Sequence, residues 1–230
     1  MERALRWTEP LALALVPAAL ALCAYFQAEN TALLTTLAAL GALLPFFMQM
    51  ELKRLRARDV MPVVVLSALA VVGRWLCAPL PNFMPVTAIV IVAGLQFGRQ
   101  SGFLTGALSA LVSNFYLGQG PWTPWQMYAW GLAGYLAGLL APLLAHKGAW
   151  RVYLFGACAS LLYGAILDSW FVISYVQPFT IEGALAAYAA GLAFNLSHIA
   201  STLLFLLLAW QPWRRKLERI KTKYGILEKP

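Results

Sequence analysis

The sequence predicts an all-α membrane protein, a polytopic bundle of transmembrane helices. The first observation is composition: 61% of the 230 residues are apolar and 11% are charged, against about 25% charged in an average soluble domain. The second is a series of long apolar stretches, and the third is that lysine and arginine collect between alternate stretches. These features exclude a soluble globular domain, a disordered chain and a fibrous protein.

Eight apolar stretches have about the length of a membrane-crossing helix, for which about 20 mostly apolar residues are needed. They lie at about 10–27, 31–50, 60–77, 83–97, 101–117, 125–145, 152–175 and 183–210. They are too long and too continuous for barrel strands, in which apolar and polar residues alternate. The stretch 83–97 is the shortest and opens with Pro81 and Pro85, so its length also fits a tilted or partly re-entrant segment.

The basic residues predict the orientation. If each stretch crosses the membrane, 16 of the 17 lysines and arginines lie on one face, in the two terminal segments and in the loops near 53–58, 99 and 147–151. The positive-inside rule predicts that this face is cytoplasmic. The protein is then expected in the plasma membrane, with both termini on its cytoplasmic side. Without the stretch 83–97, Arg99 and the later basic loops would change sides, so that span is retained. The net charge of +8 is therefore explained by topology, and no nucleic-acid partner is expected.

Three segments are predicted from the position of the charges. Residues 1–59 form a transmembrane hairpin with a basic cytoplasmic loop, 60–210 form a six-span substrate-binding unit, and 211–230 form a basic cytoplasmic tail. The first stretch resembles a signal peptide through Arg3, Arg6 and the small residues at 19–21, but the short loop after it favours a retained helix. Leu22 before Cys23 is too large for a lipoprotein cleavage site. The tail fits an interfacial helix on anionic lipid or a plain charged stop-transfer segment.

Arg74 is the basic residue that breaks the charge pattern, because it lies near the outer end of the stretch 60–77. An ionisable residue at membrane depth is costly and is a functional hypothesis by default. Asp168 is its expected counter-charge. Arg74 either faces a polar cavity and binds an anionic or carbonyl-bearing ligand, or it forms a structural ion pair, or it reaches the outer headgroups.

Other polar residues at membrane depth are Asn114, Asn195 and His198. Asn195 and His198 are three residues apart and share one face of the last helix. With Ser197 and Ser201 they line a pocket in one interpretation, and in the other they hydrogen-bond between helices.

The outer loop Gly118-Gln-Gly-Pro-Trp-Thr-Pro-Trp-Gln126 is the most distinctive stretch of the chain. Its prolines and glycines predict fixed turns, and Trp122, Trp125 and Trp130 supply large flat faces. Tryptophans of an interfacial belt explain one or two of these residues. A rigid aromatic lid over an outward-facing cavity explains the whole loop, which follows closely on Asn114 and Tyr116.

Catalytic and metal-binding motifs are absent from the sequence. There is no GxSxG, HExxH or Walker A motif, and no helix carries paired carboxylates. The cysteines Cys23, Cys77 and Cys158 are isolated and form no CxxC pair. We therefore expect no enzyme activity, no metal and no cofactor in this chain, and any uphill transport needs energy from a partner or an ion gradient.

Residues 60–210, about two-thirds of the chain, resemble the substrate-binding S component of energy-coupling factor (ECF) vitamin transporters. The matching blocks are Leu69-Ala-Val-Val-Gly-Arg74, Pro85-Val-Thr-Ala88, Gly94-Leu-Gln-Phe-Gly98, Gly102-Phe-Leu-Thr-Gly106, Ser109-Ala-Leu-Val-Ser-Asn-Phe115, Gly118-Gln-Gly-Pro-Trp-Thr-Pro-Trp-Gln-Met127 and Ala129-Trp-Gly131. The family has six spans with both ends cytoplasmic. The hairpin 1–59 is additional to that unit.

The resemblance implies an ABC-type importer subunit that captures a vitamin or cofactor precursor outside the cell and topples in the membrane to release it inside. Its partners would be a transmembrane T component and two ATPases, which hydrolyse the ATP. The match is closest to the cobalamin-type group, with riboflavin, pantothenate and other precursors left open. The candidate substrate contacts are Arg74, Asn114, Tyr116, Trp122, Trp125 and Asn195.

The small residues Ser67, Ala70 and Gly73 recur every three positions and predict a docking face for the partner helix. The alternative is that they pack inside the unit, against 101–117, and the family's Ala-x-x-x-Ala docking pattern is not strict here. Two rival functions remain from other classes. One is a membrane-embedded enzyme acting on a lipid or isoprenoid, with Asp168 and His198 as its polar centre, and the other is a solitary vitamin facilitator.

Overall fold

The computed structural model describes residues 2–26, 31–52, 56–144, 148–176 and 178–227, and it describes the side chains within these ranges except those of 2–7, 23–24, 26, 31–32 and 49–52. Every regular element in these ranges is a helix. The helices are α1 (Glu2–Phe26), α2 (Thr31–Leu52), α3 (Ala57–Leu76), α4 (Val86–Phe97), α5 (Arg99–Leu117), α6 (Thr123–Leu139), α7 (Ala141–Leu144), α8 (Ala149–Tyr175) and α9 (Ile181–Tyr224). The all-α prediction is confirmed.

The centre of the molecule is α4, which is only 12 residues long and is buried around almost its whole circumference. A helix that is apolar on all sides requires neighbours on all sides, and α3, α5, α6 and α9 provide them. Glycines bring three of these backbones into contact, since a Cβ on Gly102 would lie 2.4 Å from the Gly134 carbonyl oxygen and 2.7 Å from the Gly94 Cα. The shortest predicted stretch, 83–97, therefore contains α4, and α4 is the core of a six-helix unit formed by α3–α6, α8 and α9.

The outer surface of the bundle is apolar. Large hydrophobic side chains are exposed along the helices, among them Leu11, Leu33, Val64, Val65, Leu69, Leu154, Leu161, Leu192, Leu204 and Leu207. Exposed apolar surface of this extent is unusual for a soluble monomer and is typical of contact with lipid. Among the described residues three helices have the length and hydropathy needed to cross a membrane, Ala57–Leu76, Ala149–Tyr175 and Ile181–Tyr224, and shorter apolar helices occur at Thr8–Leu22, Leu33–Met48 and Val86–Phe97. The chain is a helical membrane protein.

Two predicted boundaries differ from the structure. The stretch 125–145 is not one helix, because α6 ends at Leu139 and the four-residue α7 follows. The basic tail continues α9 without a break to Tyr224, where Gly225 in the left-handed conformation ends the helix. The tail is anchored beyond this point, since the Leu227 backbone N–H donates to Asp59 Oδ1 at 2.7 Å. The loop positions Glu29 and Lys147 lie outside the described residues.

The small-residue stripe of α3 faces the interior, which corrects the predicted docking face. Ser67 is buried and donates to the Thr105 carbonyl of α5 at 3.3 Å, and Ala70 is completely buried. A Cβ on Gly73 would lie 2.4 Å from Pro85 Cγ, so this glycine is in close contact with the loop before α4. Ser67 and Ala70 are therefore enclosed within the unit, while Gly73 is half-buried and packs on Pro85, so the internal-packing alternative is the one observed.

Candidate functional site

Arg74 lies in the last turn of α3 and points between α5 and α6. Its side chain is 9% exposed. Nη1 donates to Ser113 Oγ at 2.5 Å and to Asn114 Oδ1 at 2.7 Å. Both partners are neutral, because a serine hydroxyl and an amide oxygen carry no charge. The buried guanidinium is thus held in place by hydrogen bonds that it donates to two side chains of α5.

Asn114 connects Arg74 to the outer loop. Its Nδ2 donates to Thr123 Oγ1 at 2.9 Å and to Gln126 Oε1 at 2.8 Å. Thr123 in turn donates to Gln119 Oε1 at 2.9 Å. The amide of Asn114 has one acceptor oxygen and two N–H donors, so a single side chain fixes the arginine on one side and the start of α6 on the other.

Trp130 forms the floor beneath Arg74. The guanidinium carbon of Arg74 is 4.9 Å from the centroid of the indole, a cation–π geometry. Trp130 Nε1 donates to Thr87 Oγ1 at 3.0 Å, and Tyr163 stacks on the same indole at 4.7 Å. We call the side chains of Arg74, Thr87, Ser113, Asn114, Trp130, Tyr163 and His198 the Arg74 cluster.

His198 completes the cluster from α9. Its Nε2 lies 2.7 Å from Thr87 Oγ1, and its ring meets Tyr163 edge-on at 4.7 Å. The Thr87 oxygen also accepts from Trp130, and a hydroxyl has two acceptor lone pairs and one proton, so this geometry is compatible with either neutral tautomer of His198. His198 Nδ1 is buried with no hydrogen-bond partner among the described residues.

Asp168 is not the counter-charge of Arg74. Its Oδ2 accepts from Asn195 Nδ2 at 2.8 Å, and the small residues Gly164 and Gly191 leave room for this pair between α8 and α9. In the described part of the chain the ion pairs are Arg56–Asp59 and Arg99–Glu9. The expected Arg74–Asp168 pair is therefore wrong, because the two residues use separate neutral amides as partners.

The six predicted substrate contacts divide into four environments. Arg74 and Asn114 touch each other at the centre of the cluster. Trp125 is 0% exposed and stacks on Trp170 with ring centroids 6.3 Å apart, so it is part of the packing. Trp122 is 38% exposed and Tyr116 is 72% exposed at the outer surface. Asn195 is half-buried and donates to Asp168.

The outer loop packs on itself and on the end of α5. A Cβ on Gly120 would lie 2.4 Å from the Trp122 ring, so the indole lies directly over this glycine. Gln119 Nε2 donates back to the Leu111 carbonyl of α5 at 3.0 Å. The loop is thus fastened to α5 while one tryptophan face remains open.

Sequence reasoning missed several members of the site. Ser113 and Thr87 stand inside the matching blocks Ser109–Phe115 and Pro85–Ala88, so attention to their hydroxyls could have found them. Tyr163 and Trp170 lie on α8, outside every matching block, and no local pattern marks them. Their contacts with Trp130 and Trp125 arise from tertiary packing alone.

The Arg74 cluster combines several kinds of polar and aromatic group. It offers a cation, amide groups, hydroxyls and flat aromatic faces. Within the described ranges no group of three histidine, cysteine, aspartate or glutamate side chains could hold a metal ion. Asp168 and His198 form neither an ion pair nor a hydrogen bond with each other there, because each has a different partner.

The comparisons with known proteins give one assignment. No curated protein and no solved structure matches the chain. The model of a protein family of unknown function, DUF6580, matches residues 54–214. This match covers more than half of the chain and almost the whole six-helix unit, and it leaves the α1–α2 hairpin outside. The chain belongs to the DUF6580 family of unknown function.

Proposed function

We propose that this chain is the substrate-binding S component of an ECF-type vitamin importer. It captures a vitamin or cofactor precursor from outside the cell and delivers it through a complex with a T component and two ATPases. In this proposal the chain crosses the membrane eight times, six of them in the unit 60–210, and both termini are cytoplasmic. ATP is hydrolysed by the partners, and this chain has no catalytic residues of its own.

The observation that carries the proposal is the position of the Arg74 cluster relative to the matching blocks. The end of α3, the start of α4, the end of α5, the outer loop and the start of α6 each carry one block. Their side chains meet in one cluster, through Arg74–Asn114, Trp130–Thr87 and Asn114–Thr123 contacts. Blocks that are separate in sequence thus build one polar and aromatic site directly beneath the outer loop.

The rival enzyme has less support. It requires Asp168 and His198 to act together on a lipid or isoprenoid, as acid–base pairs do when they lie within hydrogen-bond reach. Asp168 bonds to Asn195, and His198 bonds to Thr87. The solitary facilitator shares the binding site with the S component and differs only in its need for partners.

Binding is tested with the purified full chain in detergent, by titrating its tryptophan fluorescence with cobalamin, riboflavin and pantothenate. We expect one compound to change the emission saturably. Trp122→Phe should reduce the signal change, because this partly exposed indole lies in the outer loop. Trp150→Phe is the matched control, since Trp150 is also exposed but lies at the start of α8. If none of the vitamins and precursors tested binds, the proposal fails.

Energy coupling separates the S component from a facilitator. The chain is expressed with and without a T component and two ATPases, and uptake of the bound vitamin is measured. We expect accumulation that requires the partners and ATP. Equal uptake by the chain alone would assign the facilitator instead.

A further inference from the structure

We propose that the substrate carries an anionic group, a carboxylate or a phosphate, and that this group binds the Arg74 guanidinium. The inference rests on the proposed function and specifies the chemical class of its substrate. The recognition element is the guanidinium at the centre of the Arg74 cluster, a buried cation that forms no ion pair with any described residue.

No carboxylate of the described residues balances the charge of Arg74. The buried or half-buried carboxylates of the described residues have other partners: Glu9 pairs with Arg99, Asp59 with Arg56, and Asp168 with Asn195. A buried charge without a counter-ion is strongly unfavourable, and more so at membrane depth. Ser113, Asn114 and the Trp130 ring hold the guanidinium but supply only dipoles and a quadrupole.

The guanidinium of Arg74 also has N–H groups that form no hydrogen bond within the described residues. Arginine has five N–H groups, and the hydrogen bonds of Arg74 come from Nη1 alone. A ligand that binds among these groups must bring acceptors, and buried donors without acceptors are costly.

An anion satisfies both requirements, whereas a neutral carbonyl satisfies only the second. Guanidinium binds carboxylate and phosphate oxygens with two parallel hydrogen bonds, which are stronger than those to neutral acceptors. The guanidinium lies between α5 and α6, with its partners on α5 and its aromatic floor on α6. This interior position favours a small molecule that enters beneath the outer loop over a lipid headgroup at the surface.

The first experiment compares vitamins that differ in charge and little else, using tryptophan fluorescence of the full chain. The pairs are nicotinate with nicotinamide, pantothenate with panthenol, pyridoxal phosphate with pyridoxal, and flavin mononucleotide with riboflavin. We expect the anionic member of one pair to bind about tenfold or more tightly than its neutral partner, as a charged hydrogen bond predicts. Arg74→Gln should abolish this preference, and Arg74→Lys should retain part of it.

Arg58→Gln is the matched control, because Arg58 lies on the same helix α3 with an exposed side chain. It should keep the preference for the anion. If a neutral member binds as tightly as its anion, or if Arg74→Gln keeps the preference, the anionic substrate is wrong while vitamin binding stands. Thermal unfolding of each variant distinguishes lost recognition from lost folding.

The second experiment applies if no vitamin binds and the proposed function therefore fails. Thermal unfolding is then measured with benzoate and with inorganic phosphate, against chloride at the same ionic strength. Stabilisation that Arg74→Gln abolishes and Arg58→Gln retains would support an anion site in a protein of another function. No stabilisation by either anion, or stabilisation only by micelles containing phosphatidylglycerol, would overturn the proposal.

Discussion

Trp122 and Trp125 are three residues apart, yet they have opposite environments. Trp122 lies over Gly120 with one face exposed, whereas Trp125 is completely buried against Trp170. Two tryptophans that are close in sequence thus have different roles. The exposed indole is available to stack on a ligand, and the buried indole holds α6 against α8.

Truncating these two tryptophans should separate binding from stability. We expect Trp125→Ala to lower the free energy of unfolding by about 3 kcal/mol or more, because removing a buried aromatic ring leaves a large cavity. Trp122→Ala should change it by less than about 1 kcal/mol and weaken ligand binding instead. Unfolding of the detergent-solubilised chain, followed by circular dichroism, measures the change in stability of both variants. Equal losses of stability would mean that the outer loop is also part of the packed core.

At the scale of the elements, close contact between α4, α5 and α6 explains the compact centre of the unit. A Cβ on Gly106 would lie 2.4 Å from the Trp130 carbonyl oxygen, and one on Gly134 would lie 2.2 Å from the Gly102 carbonyl oxygen. These contacts are with backbone atoms, which cannot rotate away as a side chain can. Small residues of this kind let membrane helices approach closely and gain van der Waals contact. The same contact supports Trp130 directly beneath Arg74.

Gly106→Ala should therefore destabilise the protein, by about 1–3 kcal/mol, as overpacking of a tight core does. Gly41→Ala on α2 is the matched control, because its new Cβ would meet only Leu15 Cδ2, at an ordinary 3.5 Å. That change should be neutral or stabilising by about 0.5–1 kcal/mol, since alanine favours a helix more than glycine does. Thermal unfolding of both variants gives the comparison. A Gly106→Ala protein as stable as Gly41→Ala would contradict the close contact.

The position of each helix could be predicted from the sequence, but the direction that each face points could not. Apolar length and charge predict α3, α5 and α8 within a few residues, since both are local properties, whereas α9 continues past the predicted end at 210 to Tyr224. The stripe Ser67–Ala70–Gly73 predicts a packing surface, but the sequence leaves open whether a partner helix or residues 101–117 pack on it, and the structure shows Ser67 bonded to Thr105. Close packing of small residues looks the same in sequence whether the neighbour is internal or external. The Asp168–Asn195 pair depends on how α8 and α9 are rotated, which no local pattern encodes.

At the scale of the whole molecule, the hairpin α1–α2 is joined to the six-helix unit by polar and aromatic contacts. Glu9 is completely buried, pairs with Arg99 at 2.9 Å and accepts from the Tyr135 hydroxyl at 3.2 Å. Phe46 of α2 stacks on Phe103 at 3.6 Å. The hairpin is therefore an integral part of the fold, although the family match leaves it outside.

A further contact between the hairpin and the six-helix unit, from Tyr128 to Leu13, is explained by a proline, and a double-mutant cycle tests this explanation. Pro17 has no N–H, so the Leu13 carbonyl four residues earlier loses its helical partner, and the Tyr128 hydroxyl donates to it at 2.7 Å. Tyr128→Phe should cost about 1 kcal/mol of unfolding free energy. In a Pro17→Ala background the restored N–H satisfies the carbonyl, so the same change should cost less. Additive effects in unfolding measurements would show that the two positions are independent.

The orientation of the whole molecule gives the last prediction. The cytoplasmic side is expected to hold α9 beyond Trp210, where Arg214, Arg215 and Lys216 follow in sequence, because positive loops remain inside. In a background with Cys23, Cys77 and Cys158 replaced by serine, a single cysteine is introduced by Gln119→Cys or by Lys216→Cys. Both side chains are exposed, so neither position is protected by packing. We expect a membrane-impermeant maleimide to label the first variant in intact cells and the second only after the cells are permeabilised. Labelling of the Lys216→Cys variant in intact cells would reverse the orientation and would place the Arg74 cluster toward the cytoplasm, where it could not capture a substrate from outside.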